Sequence, residues 1–301
     1  MEKPKFYLGS HVGMNSVNDY LIGSAKETIN NGANTLMFFT GAPQNTRRTE
    51  TSKLNIDEFK TLLIDNNIDI NKVICHGPYT INLANTVKPE TFELGVRLLE
   101  EELLRLEKIG VYTVVLHPGA AVGAPRDLAL ESVAKGLNMV YKKLPNTPVR
   151  VALEIMSGKG TEICITFEEI KKVLDLVEAK DKVGVCFDTC HMHDAGYDIK
   201  NNFDKVVQQF DQIIGLDKLM AIHLNDSKNP IANHKDRHEN IGYGYIGFDT
   251  LANIVHNPLF KEIPIVLETP WINKKISPYK VEIEMIKNKK FTNPFNNKDL
   301  K

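Results

Sequence analysis

Thiols are scarce and unpaired in this chain. Its four cysteines, Cys75, Cys164, Cys186 and Cys190, form no CxxC pair. Most of them lie inside apolar runs, which points to reduced, buried thiols rather than a disulfide framework or a thiolate metal site. No run of 18 apolar residues occurs, so no membrane-spanning helix and no membrane partner are expected. The opening stretch MEKPKFYLGSHVG lacks the charged-then-apolar order of a secretory signal, and a cytoplasmic protein is expected. Excess positive charge is missing too. With a formal net charge of −1, any polyanion must be met by a local patch rather than by the whole surface. The lysine-rich end of the chain, from Lys274 through Lys289, Lys290 and Lys301, offers either such a patch or a solvated tail. Two catalytic signatures are also absent. No G-x-S-x-G elbow occurs, and the glycine spacing of GYGYIG, from Gly242, falls in a long loop instead of directly after a strand-like run.

Short apolar runs, by contrast, are plentiful and regularly spaced. FYLGSHV (from Phe6), TLMFF (Thr35), VICHG (Val73), TVVLHPG (Thr113), RVALEIM (Arg150), VGVCFDTCH (Val183), KLMAIHLND (Lys218) and PIVLETP (Pro264) recur about every thirty to forty-five residues. Continuous apolar runs of this length suit parallel strands buried on both faces. Between them lie segments of helical period. In TFELGVRLLEEELLRLEKIG, Leu94, Leu98, Leu99, Leu103 and Leu106 share one face and Gly110 supplies a stop. In ITFEEIKKVLDLVEAK, Thr166 and Glu169 have the spacing of a capping box. Eight strand-helix alternations without a break in composition predict a single (β/α)8 TIM barrel over residues 1–301, with a basic tail from about 274. An open doubly wound sheet is the alternative.

The polar residues fall in a pattern. Six of the eight runs end in a residue able to bind a metal: His76, His117, Glu154, Asp188 with His191, His223, and Glu268. The segment HKDRH after the seventh run adds Asp236 and His238, two apart in what reads as an extended segment. Barrel active sites form where strand C-termini converge. A lone histidine at a strand end is usually a hydrogen-bonded core residue. Five imidazoles and four carboxylates at one rim, however, would carry a heavy desolvation cost without a compensating cation. Imidazole with carboxylate and no thiolate suits zinc, with manganese or iron as substitutes, and nine ligands suggest two or three ions. The chemistry of such a cluster is hydrolysis, phosphodiester cleavage in particular. Metal-dependent sugar isomerases and epimerases place similar residues at strand ends and are the rival class. A zinc-storage or purely DNA-binding protein fits poorly with ligands drawn from so many strands.

The segments HGPYTINLA (from His76), VGVCFDTCH (Val183), IHLNDSK (Ile222) and HKDRHENIGYGYIG (His234) resemble the signature stretches of endonuclease IV. That family is the metal-dependent apurinic/apyrimidinic endonucleases, and the likeness runs from GSHVG to VLETP. The resemblance implies a barrel carrying three zinc ions. His76, His117 and Glu154 would hold one, with Glu154, Asp188, His223 and Glu268 on the second. His191, Asp236 and His238 would hold the third. It implies hydrolysis of the phosphodiester 5′ to an abasic site in double-stranded DNA, leaving a 3′-hydroxyl and a 5′ deoxyribose phosphate. It also implies clearance of blocked 3′ ends, by a monomer. Glu154 and Glu268 would be the catalytic carboxylates, keeping and orienting the attacking hydroxide. Tyr79 matches the position of the family's inserting tyrosine, and Arg47, in QNTRR, is the candidate partner wedge. Asn82 and Arg237 are further candidate DNA contacts. His11 is expected behind the ligands rather than among them, and His193, His234 and His256 are given no role.

Overall fold

The computed structural model describes residues 5–295. Its strands are β1 (Tyr7–His11), β2 (Thr35–Phe38), β3 (Ile74–His76), β4 (Thr113–Leu116), β5 (Arg150–Glu154), β6 (Val183–Asp188), β7 (Leu219–Leu224), β8 (Asp226–Ser227), β9 (His238–Glu239) and β10 (Pro264–Leu267). Its α-helices are α1 (Leu21–Asn30), α2 (Ile56–Asp65), α3 (Pro89–Ile109), α4 (Arg126–Lys143), α5 (Phe167–Leu176), α6 (Thr189–Ala195), α7 (Ile199–Ile213), α8 (Phe248–Val255) and α9 (Tyr279–Asn288). The parallel strands close in the order β1-β10-β7-β6-β5-β4-β3-β2, while β8 and β9 form a small antiparallel pair above the rim. The expected (β/α)8 barrel is the fold.

Burial on both strand faces explains the continuous apolar runs. Met37, Ile74, Val115, Ala152, Cys186, Ala221 and Val266 fill the barrel interior as one cluster. Their strand neighbours, such as Val114, Leu153, Phe187 and Leu224, turn outward to pack under the helices. On α3, Leu98, Leu99, Leu103 and Leu106 are buried as their spacing requires, and Gly110 closes the helix in the left-handed region at φ 90°. On α5, Thr166 Oγ1 accepts from Glu169 N at 3.2 Å. The return half of the capping box is missing. Glu169 instead accepts from Ile165 N (3.0 Å) and clasps Arg126 with both oxygens.

Two expectations are corrected. Strand six stops at Asp188, whose carboxylate caps α6 by accepting from His191 N at 2.8 Å. Cys190 and His191 therefore lie in the first turn of a helix, and Cys190 is not part of strand packing. All four cysteines are free and buried. The lysine-rich end is no tail over its described part: α9 buries Tyr279, Ile283, Met285 and Ile286 against the barrel. Lys287 reaches the Gly32 carbonyl in the α1–β2 connection, at the end of the barrel away from the strand C-termini. Lys301 lies outside the described residues. No helix among the described residues is long and apolar enough to cross a membrane.

Helix α9 also carries Glu282, a fully buried carboxyl that accepts from Ile241 N (2.9 Å), Asn240 Nδ2 (3.1 Å) and Thr269 Oγ1. Burial pushes its pKa from 4.5 up to about 7 against those hydrogen bonds. The folded protein thus keeps a proton that the unfolded chain releases, so stability falls as pH rises from about 4.5 to about 7. The loss is on the order of 3 kcal/mol. Glu282→Gln keeps an acceptor for Ile241 and cannot ionise. Urea denaturation at pH 5 and pH 8 should show this pH-dependent loss in the wild type and not in the variant; equal pH dependence in both would refute the assignment.

Candidate metal centre at the barrel rim

The candidate ligands converge at the C-terminal ends of the strands. His76, Glu154 and Asp188 end β3, β5 and β6, and His223 lies next to the end of β7. His117 and Glu268 directly follow β4 and β10, the loop between β8 and β9 delivers Asp236, and His238 begins β9. Glu154 is the hub. Its Oε2 lies 3.2 Å from both His76 Nε2 and His117 Nε2, and its Oε1 lies 3.3 Å from His223 Nδ1 and 3.1 Å from His191 Nδ1. His223 Nδ1 is also 3.1 Å from Glu268 Oε2 and 3.9 Å from Asp188 Oδ2. Asp236 Oδ1 stands 3.1 Å from His191 Nε2 and 3.5 Å from His238 Nε2.

Three sets have ligand atoms mutually within 4.8 Å: His76, His117 and Glu154; Glu154, Asp188, His223 and Glu268; and Asp188, His191 and His238. Glu154 and Asp188 are each common to two sets. The resemblance implies His191, Asp236 and His238 for the third set; the geometry adds Asp188 to it, with Asp236 alongside. Asp236 and His238 do converge, but not through an extended segment. Asp236 takes a left-handed φ of 53°, as do Ala232 and His234 nearby, so the loop folds back on itself.

The donor set fits divalent cations. Two atoms bound to one zinc at a tetrahedral angle, each about 2.0–2.1 Å from it, lie about 3.3 Å apart, which is the spacing seen around Glu154 and His223. His238 Nε2 is buried without a hydrogen-bond partner, and His223 Nδ1 faces three carboxylates although it can donate one proton. Burial would raise the pKa of Glu154, yet His117, His223 and His191 hold it well below the carboxylate range. Glu268 is likewise depressed by His223 against its burial, and Asp236 by His191 and His238. Burial opposes a charge on His191, but Asp188, Asp236 and Glu154 drive its pKa well up; Cys186, Glu268 and Glu154 do the same for His223. The cluster demands positive charge, which protons or divalent cations satisfy.

Above the cluster opens a cavity of about 250 Å³, walled by Tyr79, His117, Glu154, Lys159, Glu162, His191, Asp236, His238 and Glu268. Tyr79 is 44% exposed at its mouth and stacks on His117, with ring centroids 5.0 Å apart. Tyr79 N donates to Pro43 O at 2.9 Å, which brings the GAPQNTRR loop alongside. Of the two arginines in that loop, Arg48 is tied to Glu102 (3.6 Å) and to backbone carbonyls, while Arg47 is exposed. Arg237 is exposed next to Asp236. Asn82 is a strut: its Oδ1 accepts from Ala84 N and Ala120 N, and its Nδ2 donates to Ala120 O. Its amide thus ties two loops together at the edge of the rim. His11 packs edge-on against Phe39 beside the cluster, and burial lowers its pKa. His193, His234 and His256 each hydrogen-bond a backbone carbonyl.

Residues that hold the ligands in place escaped the sequence reading. Asn225 Nδ2 donates to Asp188 Oδ2 (2.7 Å), and its Oδ1 accepts from Glu268 N (3.0 Å). Buried Asp194 accepts from Lys235 N, Asp236 N and Ser227 Oγ, clamping the HKDRH loop. The GYGYIG segment wraps a second buried acid, Asp226, which accepts from the backbone N–H groups of Gly242, Gly244, Ile246 and Gly247. A Cβ on Gly244 would stand 2.4 Å from Asp226 Oδ1, so glycine is required there. Groups that orient metal ligands typically matter about 10–100-fold in metal affinity. Asn225→Ala should therefore weaken metal retention about tenfold or more in chelator competition, with the fold intact by circular dichroism; unchanged retention would sink its positioning role.

Residues 26–289 match a family described as xylose isomerase-like TIM barrel, AP endonuclease 2. A probable endonuclease 4 of Mesoplasma florum is 51% identical over 295 residues, 97% of this chain and 99% of that protein. Among solved structures, endonuclease IV of Thermus thermophilus superposes with a TM-score of 0.80 at 24% identity, covering 94% of this chain and 98% of that one. A D-tagatose 3-epimerase-like protein superposes at 0.65 and 17%, covering 94% and 99%, so the barrel itself does not separate the two chemistries. At half identity over almost its whole length, the chain belongs to the endonuclease 4 family of xylose isomerase-like TIM barrels.

Proposed function

We propose that this chain cleaves the phosphodiester 5′ to abasic sites in duplex DNA, leaving a 3′-hydroxyl and a 5′ deoxyribose phosphate, and clears blocked 3′ ends. The observation that carries this reading is the buried carboxylate Glu154, shared between two ligand sets at the floor of an open cavity, with Asp188 shared behind it. Relatives named probable endonuclease 4 supply the substrate class. His76, His117 and Glu154 would hold one zinc; Glu154, Asp188, His223 and Glu268 a second; His191, His238 and Asp236 a third, with Asp188 alongside. Divalent cations held there supply Lewis-acid charge for hydrolysis of a phosphodiester.

The chain's own residues do the rest. Glu268, on the cavity wall and held ionised by His223, accepts a hydrogen bond from the attacking water and orients it toward phosphorus. The leaving 3′ oxygen lies against the side bearing His191, Asp236 and His238. Tyr79, already stacked over His117, fills the gap left when the abasic nucleotide is extruded, and Arg47 wedges beside it. Extrusion costs least where a base is already missing, which gives selectivity for abasic sites.

A duplex with one tetrahydrofuran residue should be nicked once, 5′ to the lesion, by protein carrying two to three zinc equivalents. An intact duplex together with ketose epimerisation would instead make the chain a sugar epimerase. Glu154→Ala should lower the nicking rate at least about a hundredfold and release one zinc or more. Tyr79→Ala, which removes stacking worth roughly 1–3 kcal/mol, should raise KM about tenfold or more while kcat changes less. An unaltered KM would dismiss the inserting role.

A further inference from the structure

Lys159 is the one lysine or arginine among the described residues that line the central cavity, whose other charged walls are the carboxylates Glu154, Glu162, Asp236 and Glu268. Its ammonium lies 3.5 Å from Asp236 Oδ2, on the opposite oxygen from the one that faces His191 and His238. The side chain remains 50% exposed, and Asp236 is its ion-pair partner. A pair that open contributes little to stability. The loop that presents it is nevertheless built with care. Gly158 and Gly160 flank Lys159 at φ 83° and 63°, and a Cβ on Gly158 would stand 2.7 Å from His234 Nδ1. Glu162 Oε2 accepts from both Lys159 N (2.9 Å) and Ser157 Oγ (3.1 Å), closing the turn. His234 Nδ1 donates to Ser157 O at 2.8 Å, locking this loop to the HKDRH segment that carries Asp236.

A fixed backbone therefore carries a flexible, half-solvated cation to the wall of an acidic cavity. An ammonium has three donors, and at half exposure beside Asp236 it keeps donors for a further anion at the cavity wall. The chemistry that fits is a phosphate oxygen, for which lysine serves as a mobile point charge. We propose that Lys159 binds the anionic oxygen of the scissile phosphate, drawing it over the cluster while keeping contact with Asp236. This rests on the phosphodiesterase reading above and assigns a phosphate contact to a residue that the ligand pattern does not include.

Stopped-flow fluorescence anisotropy of the zinc-loaded enzyme reads DNA binding before the first turnover. Two tetrahydrofuran duplexes are compared, one with an ordinary phosphate and one with a neutral methylphosphonate 5′ to the lesion, across a salt series. Lys159→Gln should bind the phosphate duplex about tenfold more weakly and flatten the log–log salt dependence by about 0.9, the share of one phosphate contact. It should bind the methylphosphonate duplex as tightly as the wild type does. Lys159→Arg should restore most of the loss, and zinc content should be unchanged in both variants. Equal weakening on both duplexes, or lost zinc with binding intact, would overturn the proposal and leave Lys159 as a support for Asp236. No effect on either duplex would also overturn it. A wild type that neither binds nor nicks the abasic duplex would remove the phosphodiesterase reading, and this inference with it.

Discussion

Glu154 is 1% exposed and touches four imidazoles, and the geometry of the rim depends on that contact. A carboxylate so deeply buried would ordinarily take up a proton. It stays ionised because β3, β4, α6 and β7 each bring a histidine to it. The requirement is mutual, since Asp188, Asp236, Glu154 and Glu268 pull the pKa values of His191 and His223 well up against their burial. Removing one partner strands charge in a medium where solvation is poor, so the cluster is retained or lost as a unit. The barrel makes such convergence possible because parallel strands in closed register end at one height, and alternating side chains there point to a common axis.

The loops above the rim lack regular structure, yet the ligands they carry must be placed within tenths of an ångström. A set of acids outside the cluster does this. Asp194 gathers the backbone before Asp236, Asp226 gathers the turn from Gly242 to Gly247, and Glu282 holds Asn240, Ile241 and Thr269. Glu102 holds Arg48 and Thr40 under the GAPQNTRR loop, and Glu162 closes the turn at Lys159. Asp194, Asp226 and Glu282 each accept several N–H or O–H groups, which offsets their own desolvation. An aliphatic core could bury as much area but would not fix loop direction, since apolar contacts are not directional.

This division explains what was legible in the sequence. The strands could be read because burial on both faces writes continuous apolar runs, and most of the candidate ligands because they sit where such a run ends. The supporting acids could not. Asp226 and Asp194 appear in polar stretches, where an acid is usually a solvated loop charge, and only the fold puts them at zero exposure. Asn225 lies within IHLNDSK, but its bonds to Asp188 and Glu268 join three different strand ends and leave no local pattern. The boundary at Asp188 was missed because a cap and a ligand are the same residue there, and the apolar run passes through it. The lysines after residue 274 suggested a tail because their charge masks the period of Tyr279, Ile283 and Ile286.

The acids of the cavity wall pose an electrostatic problem for the proposed substrate. A cavity walled by Glu154, Glu162, Asp236 and Glu268 repels a polyanion, and the chain's overall charge of −1 gives no compensating attraction at long range. Affinity for the proposed DNA substrate would then arise at short range, from charge brought to the cavity floor, from Lys159 on its wall and from Tyr79 at its mouth. Cations bound among the ligands would change the sign of the potential that a phosphate meets. By linkage, whatever those cations add to DNA affinity, bound DNA adds to theirs. A rim that holds its ligands rigidly suits this arrangement, because the coupling then acts through charge alone and needs no movement of the barrel.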